Sequence, residues 1–348
     1  MGHTMNEAVL EARVKVNAAF EGFIGNDDAC YSIKRSLIVA LSATPAGELP
    51  ALSKVFLLSG PPSVGKTELA RRITNVLSVP FIRLDGRAVR SREKLFDMID
   101  EALLAQDMSA KRSGMRSGMP TLEYPPFAVF VDEIHLVSER TQEGLLTLLE
   151  QDDRTMLLDG EHGRRVAIVR QAAFIFATTK PADLDRAFRS RCIEIQLRRY
   201  TAAEVETMVR DRFPAMPAGA VEKIATCSRL VPRQAFTMAQ EIEEEILLDD
   251  ARDIDACVRR VMHGRGIRFA NGATRDDLRY LDTLLREGRA VGESILKASL
   301  FDVDELRVSE DIEPWLLLKG YMTVTAKGRK ITLAGEQFVR DAREIEKV

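Results

Sequence analysis

The chain has 348 residues, of which 45% are hydrophobic and 30% charged, and its formal net charge is −3. That length suggests two or three domains with a sizeable core, and the charge balance excludes a chain that is basic overall, so any DNA contact must come from a local patch. Four well-separated cysteines and the lack of a membrane-length apolar run point to a cytoplasmic protein with reduced thiols, not a disulfide scaffold or a membrane protein.

Residues 1–19 read as a charged helical arm. Phe20-Glu21-Gly22-Phe23-Ile24-Gly25 then leads into a helical segment reaching Ala43, and a Pro/Gly-rich loop follows at Pro45, Gly47 and Pro50. The apolar run Val55-Phe56-Leu57-Leu58 precedes Gly60-Pro61-Pro62-Ser63-Val64-Gly65-Lys66-Thr67, after which a helical pattern starts at Glu68. This is a phosphate loop in the strand–loop–helix context such a loop requires. Its glycines let backbone N–H groups close around phosphates, and the helix start favours an anion. Lys66 suits the β- and γ-phosphates, and the Thr67 hydroxyl suits Mg²⁺.

Residues 79–84 read as a strand and 92–104 as a helix, and the alternation implies a parallel sheet with helices on both faces. Residues 111–120 interrupt it: they lack a period, are Gly/Ser-rich and carry three basic residues, Lys111, Arg112 and Arg116. They read as a flexible surface excursion, with a loop that touches DNA or a partner as the rival reading.

Phe127-Ala128-Val129-Phe130-Val131 delivers Asp132 and Glu133 to the C-terminal edge of the sheet, where open α/β sheets bind ligands. Asp132 suits the Mg²⁺ shell, through water or directly, and Glu133 suits the base that polarises a water. His135 reads as a supporting or structural residue. A helix is expected over 139–151 and a β-hairpin with a polar tip over 155–169. The strand Ala173-Phe174-Ile175-Phe176-Ala177 ends in Thr178 and Thr179, of which Thr179 is preferred as the group near Glu133.

Several arginines then precede a short strand at 193–195. Thr201 and Glu204 form a capping box, and the chain turns helical to about Met262, with Val231-Pro232-Arg233 at a helix start and acidic residues over 241–250. Residues 274–348 read as three helical segments followed by a hairpin, the pattern of a winged helix. From 314 to 335 there is no Asp or Glu, and Lys327, Arg329 and Lys330 are the expected contacts to the DNA backbone.

In this order the motifs resemble those of AAA+ ATPases, and over nearly the whole chain those of the RuvB family of Holliday-junction branch-migration motors. The resemblance implies an α/β fold: an AAA+ phosphate-loop core with a parallel sheet over 20–200, a helical lid over 201–272 and a winged-helix domain over 273–348. It implies ATP and Mg²⁺ as ligands, bound by Gly60 through Glu68 with Phe23 and Ile24 beside the adenine. It makes Thr179 sensor 1, Arg191 an arginine finger for the neighbouring subunit, and Arg233 the sensor 2 that reaches the γ-phosphate. It implies a hexameric ring on duplex or four-way-junction DNA, and a RuvA-like partner docked on the 156–169 hairpin. Ser63 stands where RuvB has glycine, and the 111–120 segment is foreign to ordinary RuvB. Ser190-Arg191-Cys192 is closer to the clamp-loader signature, which leaves a clamp-loader-like or nucleotide-switched remodelling ATPase as the alternative.

Overall fold

Apolar runs that do not alternate become strands covered on both faces. In the computed structural model, β1 (Val55–Ser59) and β8 (Ala172–Thr178) are buried at every residue, and β5 (Phe127–Asp132) at all but its last. With β2 (Phe81–Asp85) and β9 (Cys192–Gln196) they form a five-stranded parallel sheet in the order β2-β5-β8-β1-β9. The structure describes residues 2–44, 55–150, 154–160, 163–248, 253–300, 302–304 and 307–345. The Pro/Gly-rich loop at 45–50, the hairpin tip at 161–162 and the end of the acidic stretch at 249–250 lie outside them. Among the described residues no helix is long and apolar enough to cross a membrane.

The chain divides into two compact units, residues 1–200 and 201–348. In the first, α1 (Gly2–Phe20) is not a detached arm. Ala12, Val16 and Phe20, one helical turn apart, are buried as the helix packs on α2 (Asp27–Ser42) and α3 (Lys66–Leu77). Arg72 of α3 fastens the end of α1 by donating to the carbonyls of Ala19 and Glu21. The helix α4 (Arg92–Leu104) starts on Ser91, whose hydroxyl accepts from Lys94 N–H.

The 111–120 segment corrects the reading of a flexible excursion. It folds as β3 (Lys111–Arg116) and β4 (Met119–Glu123), which extend the hairpin β6 (Thr155–Gly160) and β7 (Gly163–Ile168) into a four-stranded sheet, β3-β4-β7-β6. β3 is an edge strand exposed at every residue, so the burial alternation that announces a strand is missing. The expected helix over 139–151 is broken into α5 (Glu139–Gly144) and α6 (Leu146–Leu149); residue 151 lies outside the described chain. The helix α7 (Arg186–Ser190) leads into β9.

The second unit opens with four helices, α8 (Ala202–Arg212), α9 (Ala218–Cys227), α10 (Pro232–Leu248) and α11 (Ile254–Gly264). After them come α12 (Arg275–Glu287), α13 (Glu293–Ser299), a π-helical turn running into α14 (Glu313–Leu318), a β10–β11 hairpin (Met322–Thr325 and Gly328–Ile331) and α15 (Leu333–Ile345). Arg329 also pairs with Val291, adding a third segment to the hairpin and completing a winged helix around Tyr280, Leu284, Trp315 and Met322.

One residue rivets the helices to the winged helix. Arg229, in the left-handed region at φ 57° with Leu230 beside it at 61°, leaves the α9–α10 turn to donate to Asp277 Oδ2 at 2.5 Å and to pair with Asp311 at 3.0 Å. Its guanidinium lies 4.9 Å from the centre of the Trp315 ring. Burial pushes the Asp277 carboxyl above its usual range, and the Arg229 charge works against that. Removing one member of such a pair strands the other. Arg229→Ala is therefore expected to cost about 3–5 kcal/mol in chemical denaturation of the second unit; a loss below about 1 kcal/mol would show that the pair does not hold the two parts together.

Candidate nucleotide site

The loop after β1 is wedged between neighbours that tolerate only glycine at two points. Gly60 has φ 146°, and a Cβ there would lie 2.5 Å from the Leu197 carbonyl oxygen. Gly65 has φ 92°, and a Cβ there would lie 2.7 Å from the Tyr200 hydroxyl. Both partners belong to the segment after β9, which Leu197 N–H ties to Ser59 and the Tyr200 hydroxyl ties to the Val64 carbonyl. Gly60 N–H also donates to Thr178, joining the loop to the end of β8.

α3 starts at Lys66 on Gly65, which offers no side-chain cap, so its first-turn N–H groups are available to an anion. Lys66 is buried, and its ammonium donates to the carbonyls of Gly60 and Pro61 at 2.8 and 2.9 Å. Burial lowers its pKa, while the charges of Glu133 and Asp132 oppose the shift, which places both carboxylates within electrostatic reach of the amine. The loop fits a polyphosphate: the Lys66 ammonium and the uncapped first-turn N–H groups of α3 stand beside it, and Gly60 and Gly65 let it pack closely on Leu197 and Tyr200. Thr67 and Asp132 supply the oxygen donors a hard cation such as Mg²⁺ prefers.

Glu133 adopts φ 51° as β5 ends, and its Oε2 accepts from Thr179 N–H at 3.1 Å and from the Thr179 hydroxyl at 2.9 Å. The adjacency of β5 and β8 makes this possible. His135 Nδ1 lies 3.1 Å from the same Glu133 oxygen and 3.0 Å from the Thr178 hydroxyl. Thr178, fully buried, is thus turned to His135 and Lys180 N–H, while Thr179 is the threonine on Glu133. Asp132 Oδ2 receives Arg83 of β2 at 3.2 Å. No sequence signal marks Arg83, which reads as an ordinary exposed strand residue, or Tyr200, which only precedes a helix cap.

Phe23 lies beside the loop, its Cζ 3.1 Å from where a Gly65 Cβ would stand, and Ile24 next to it is half-buried. Arg191, just after α7, donates to the Ala187 carbonyl at 3.1 Å and pairs with Glu150 at 3.4 Å, with about a third of its side chain exposed. Arg233 stands exposed in the first turn of α10, in the second unit. On the wing, Lys327 and Lys330 are exposed, while Arg329 is half-buried. Its guanidinium turns inward to both carboxylate oxygens of Glu313, at 3.0 and 3.1 Å, because the Glu313 carboxylate, which also accepts from Tyr280, is buried and needs a cation.

The family described as "ATPase family associated with various cellular activities (AAA)" matches residues 56–200, and the "RuvB C-terminal winged helix domain" matches residues 270–340. The chain is 23% identical over 338 residues to the Holliday junction branch migration complex subunit RuvB of Mycoplasma genitalium, covering 95% of this chain and 99% of that one. It is 28% identical over 325 residues to the subunit of the same name from Campylobacter fetus, covering 89% and 84%. The solved RuvB Holliday junction branch migration motor of Thermotoga maritima superposes with a TM-score of 0.69 at 24% identity, over 91% of this chain and 95% of that one, a likeness of fold.

The wedge at Gly60 has a direct test. Gly60→Ala meets a backbone oxygen that cannot swing away, so the variant is expected to lose more than about 1 kcal/mol of stability and to bind a non-hydrolysed nucleotide more weakly. Calorimetry that finds parental stability and affinity would refute the close packing described.

Proposed function

We propose that this chain, which belongs to the RuvB family of AAA+ ATPases, hydrolyses ATP and converts the hydrolysis into movement of duplex DNA at four-way junctions. The observation that supports it best is the Glu133 carboxylate, held by two donors of Thr179 and within electrostatic reach of the buried Lys66. The branch-migration activity for which the relatives are named supports the choice of DNA substrate.

In this mechanism the phosphates of ATP lie along Gly60 to Glu68, with Lys66 meeting their negative charge and Phe23 and Ile24 flanking the adenine. Thr67 and Asp132 would hold Mg²⁺, which neutralises phosphate charge when bound. Glu133 accepts a proton from water as the water oxygen bonds to the γ-phosphorus and ADP departs. Thr179 fixes the carboxylate for that transfer. Arg191 reaches the site of the next subunit, so the working form is an oligomer, a hexameric ring. Arg233 meets the γ-phosphate within its own subunit, and the lid over 201–272 carries the winged-helix domain over 273–348 with it. Lys327 and Lys330 take the DNA backbone, and a RuvA-like partner docks on the 156–169 hairpin.

A composite site makes a specific demand on mixtures. Glu133→Gln should bind ATP yet turn it over about 10²–10⁴-fold more slowly, and Arg191→Ala should do the same with a loss of about 10³–10⁵-fold. Mixing the two inactive proteins pairs an intact Glu133 with an intact Arg191 across some interfaces, so steady-state ATPase should reappear. A mixture as inactive as its components would exclude a finger supplied by the neighbour.

A further inference from the structure

The first unit holds a polar cavity of about 450 Å³ lined by Arg90, Arg92, Arg140, Ser91, Ser138 and Glu93 among others, and by none of the described phosphate-loop residues. Three arginines and one glutamate are among its lining residues, a balance of three minus one, or +2, on a chain whose total is −3. Arg92 is matched by Glu93 at 2.7 Å. Arg90 and Arg140 are exposed, and among the described residues neither has a carboxylate partner.

The rim is held in place by hydrogen bonds. The Thr141 hydroxyl donates to the Arg90 carbonyl at 3.2 Å and lies 2.9 Å from the Ser138 hydroxyl, which fixes the turn carrying Arg90 against the start of α5. Ser91 caps α4 on the other wall. Among the described residues that line the space none has an aromatic or long aliphatic side chain, so they offer nothing on which a base could stack. Two unmatched guanidiniums among hydroxyls suit a phosphodiester, to which arginine donates in pairs.

We infer that this cavity is a second DNA contact, in which Arg90 and Arg140 take backbone phosphates, so that the ATPase unit grips the nucleic acid as well as the wing. The inference rests on the DNA-motor reading but not on the wing. Such contacts would add affinity and position without reading sequence.

The test uses the full chain and the salt dependence of its affinity for a duplex. Each phosphate neutralised contributes about −0.9 to the slope of log K against log salt, so Arg90→Ala with Arg140→Ala should make the slope shallower by about 2. ATPase without DNA should stay at the parental rate, while its stimulation by DNA falls. Arg140→Glu, a single change at an exposed position, should weaken binding in the same direction. An unchanged slope in the double variant, with Lys327→Ala and Lys330→Ala together still lowering it, would overturn this contact and leave the wing reading standing. A parent protein that binds no duplex at any salt would overturn both.

Discussion

The grip of Thr179 on Glu133 is the constraint around which the first unit is arranged. It requires β5 and β8 to be neighbours and to end at the same level, so that a carboxylate on one and two donors on the other meet at 2.9 and 3.1 Å. Parallel strands buried on both faces meet that requirement, because their apolar runs leave no choice of which side faces water. The same sheet order puts β1 beside β8, and the phosphate loop therefore leaves the sheet at the edge where the carboxylates stand. Chemistry at that edge follows from strand adjacency more than from any local motif.

Charge is balanced tightly there. Lys66 gives up water for two backbone carbonyls, and burial lowers its pKa against the opposing pull of Glu133 and Asp132. Asp132 in turn faces Arg83. The loop bears backbone conformations that few residues adopt, at Gly60, Ser63 and Gly65, and Leu197 and Tyr200 pack against the first and last of them.

Much of this was legible in the chain itself. Gly60 to Thr67 and the strand ending in Asp132 and Glu133 announced themselves because each residue type has one job there, and unbroken apolar runs marked the central strands. The residues that escaped did so for physical reasons. β3 has no buried face, so its Lys111 to Arg116 sequence carries no period; only its pairing with β4 makes it a strand. Arg329 looked like its lysine neighbours, yet the buried Glu313 sixteen residues earlier decides where its guanidinium goes. Arg229 and Asp277 lie far apart in sequence, and only the packing of the second unit brings them together. Choosing Thr179 over Thr178 was a matter of which way each side chain points at a strand end, which composition does not encode.

The proposal that the chain is a motor, and not only a nucleotide-binding protein, requires that hydrolysis displace DNA. The most direct measurement is a synthetic four-way junction incubated with the full-length protein and ATP, and followed by gel as it resolves into two duplexes. The account predicts resolution that needs hydrolysable ATP and stops when a non-hydrolysed analogue replaces it. Vigorous ATP turnover on a junction that never moves, with or without a junction-binding partner protein, would contradict it.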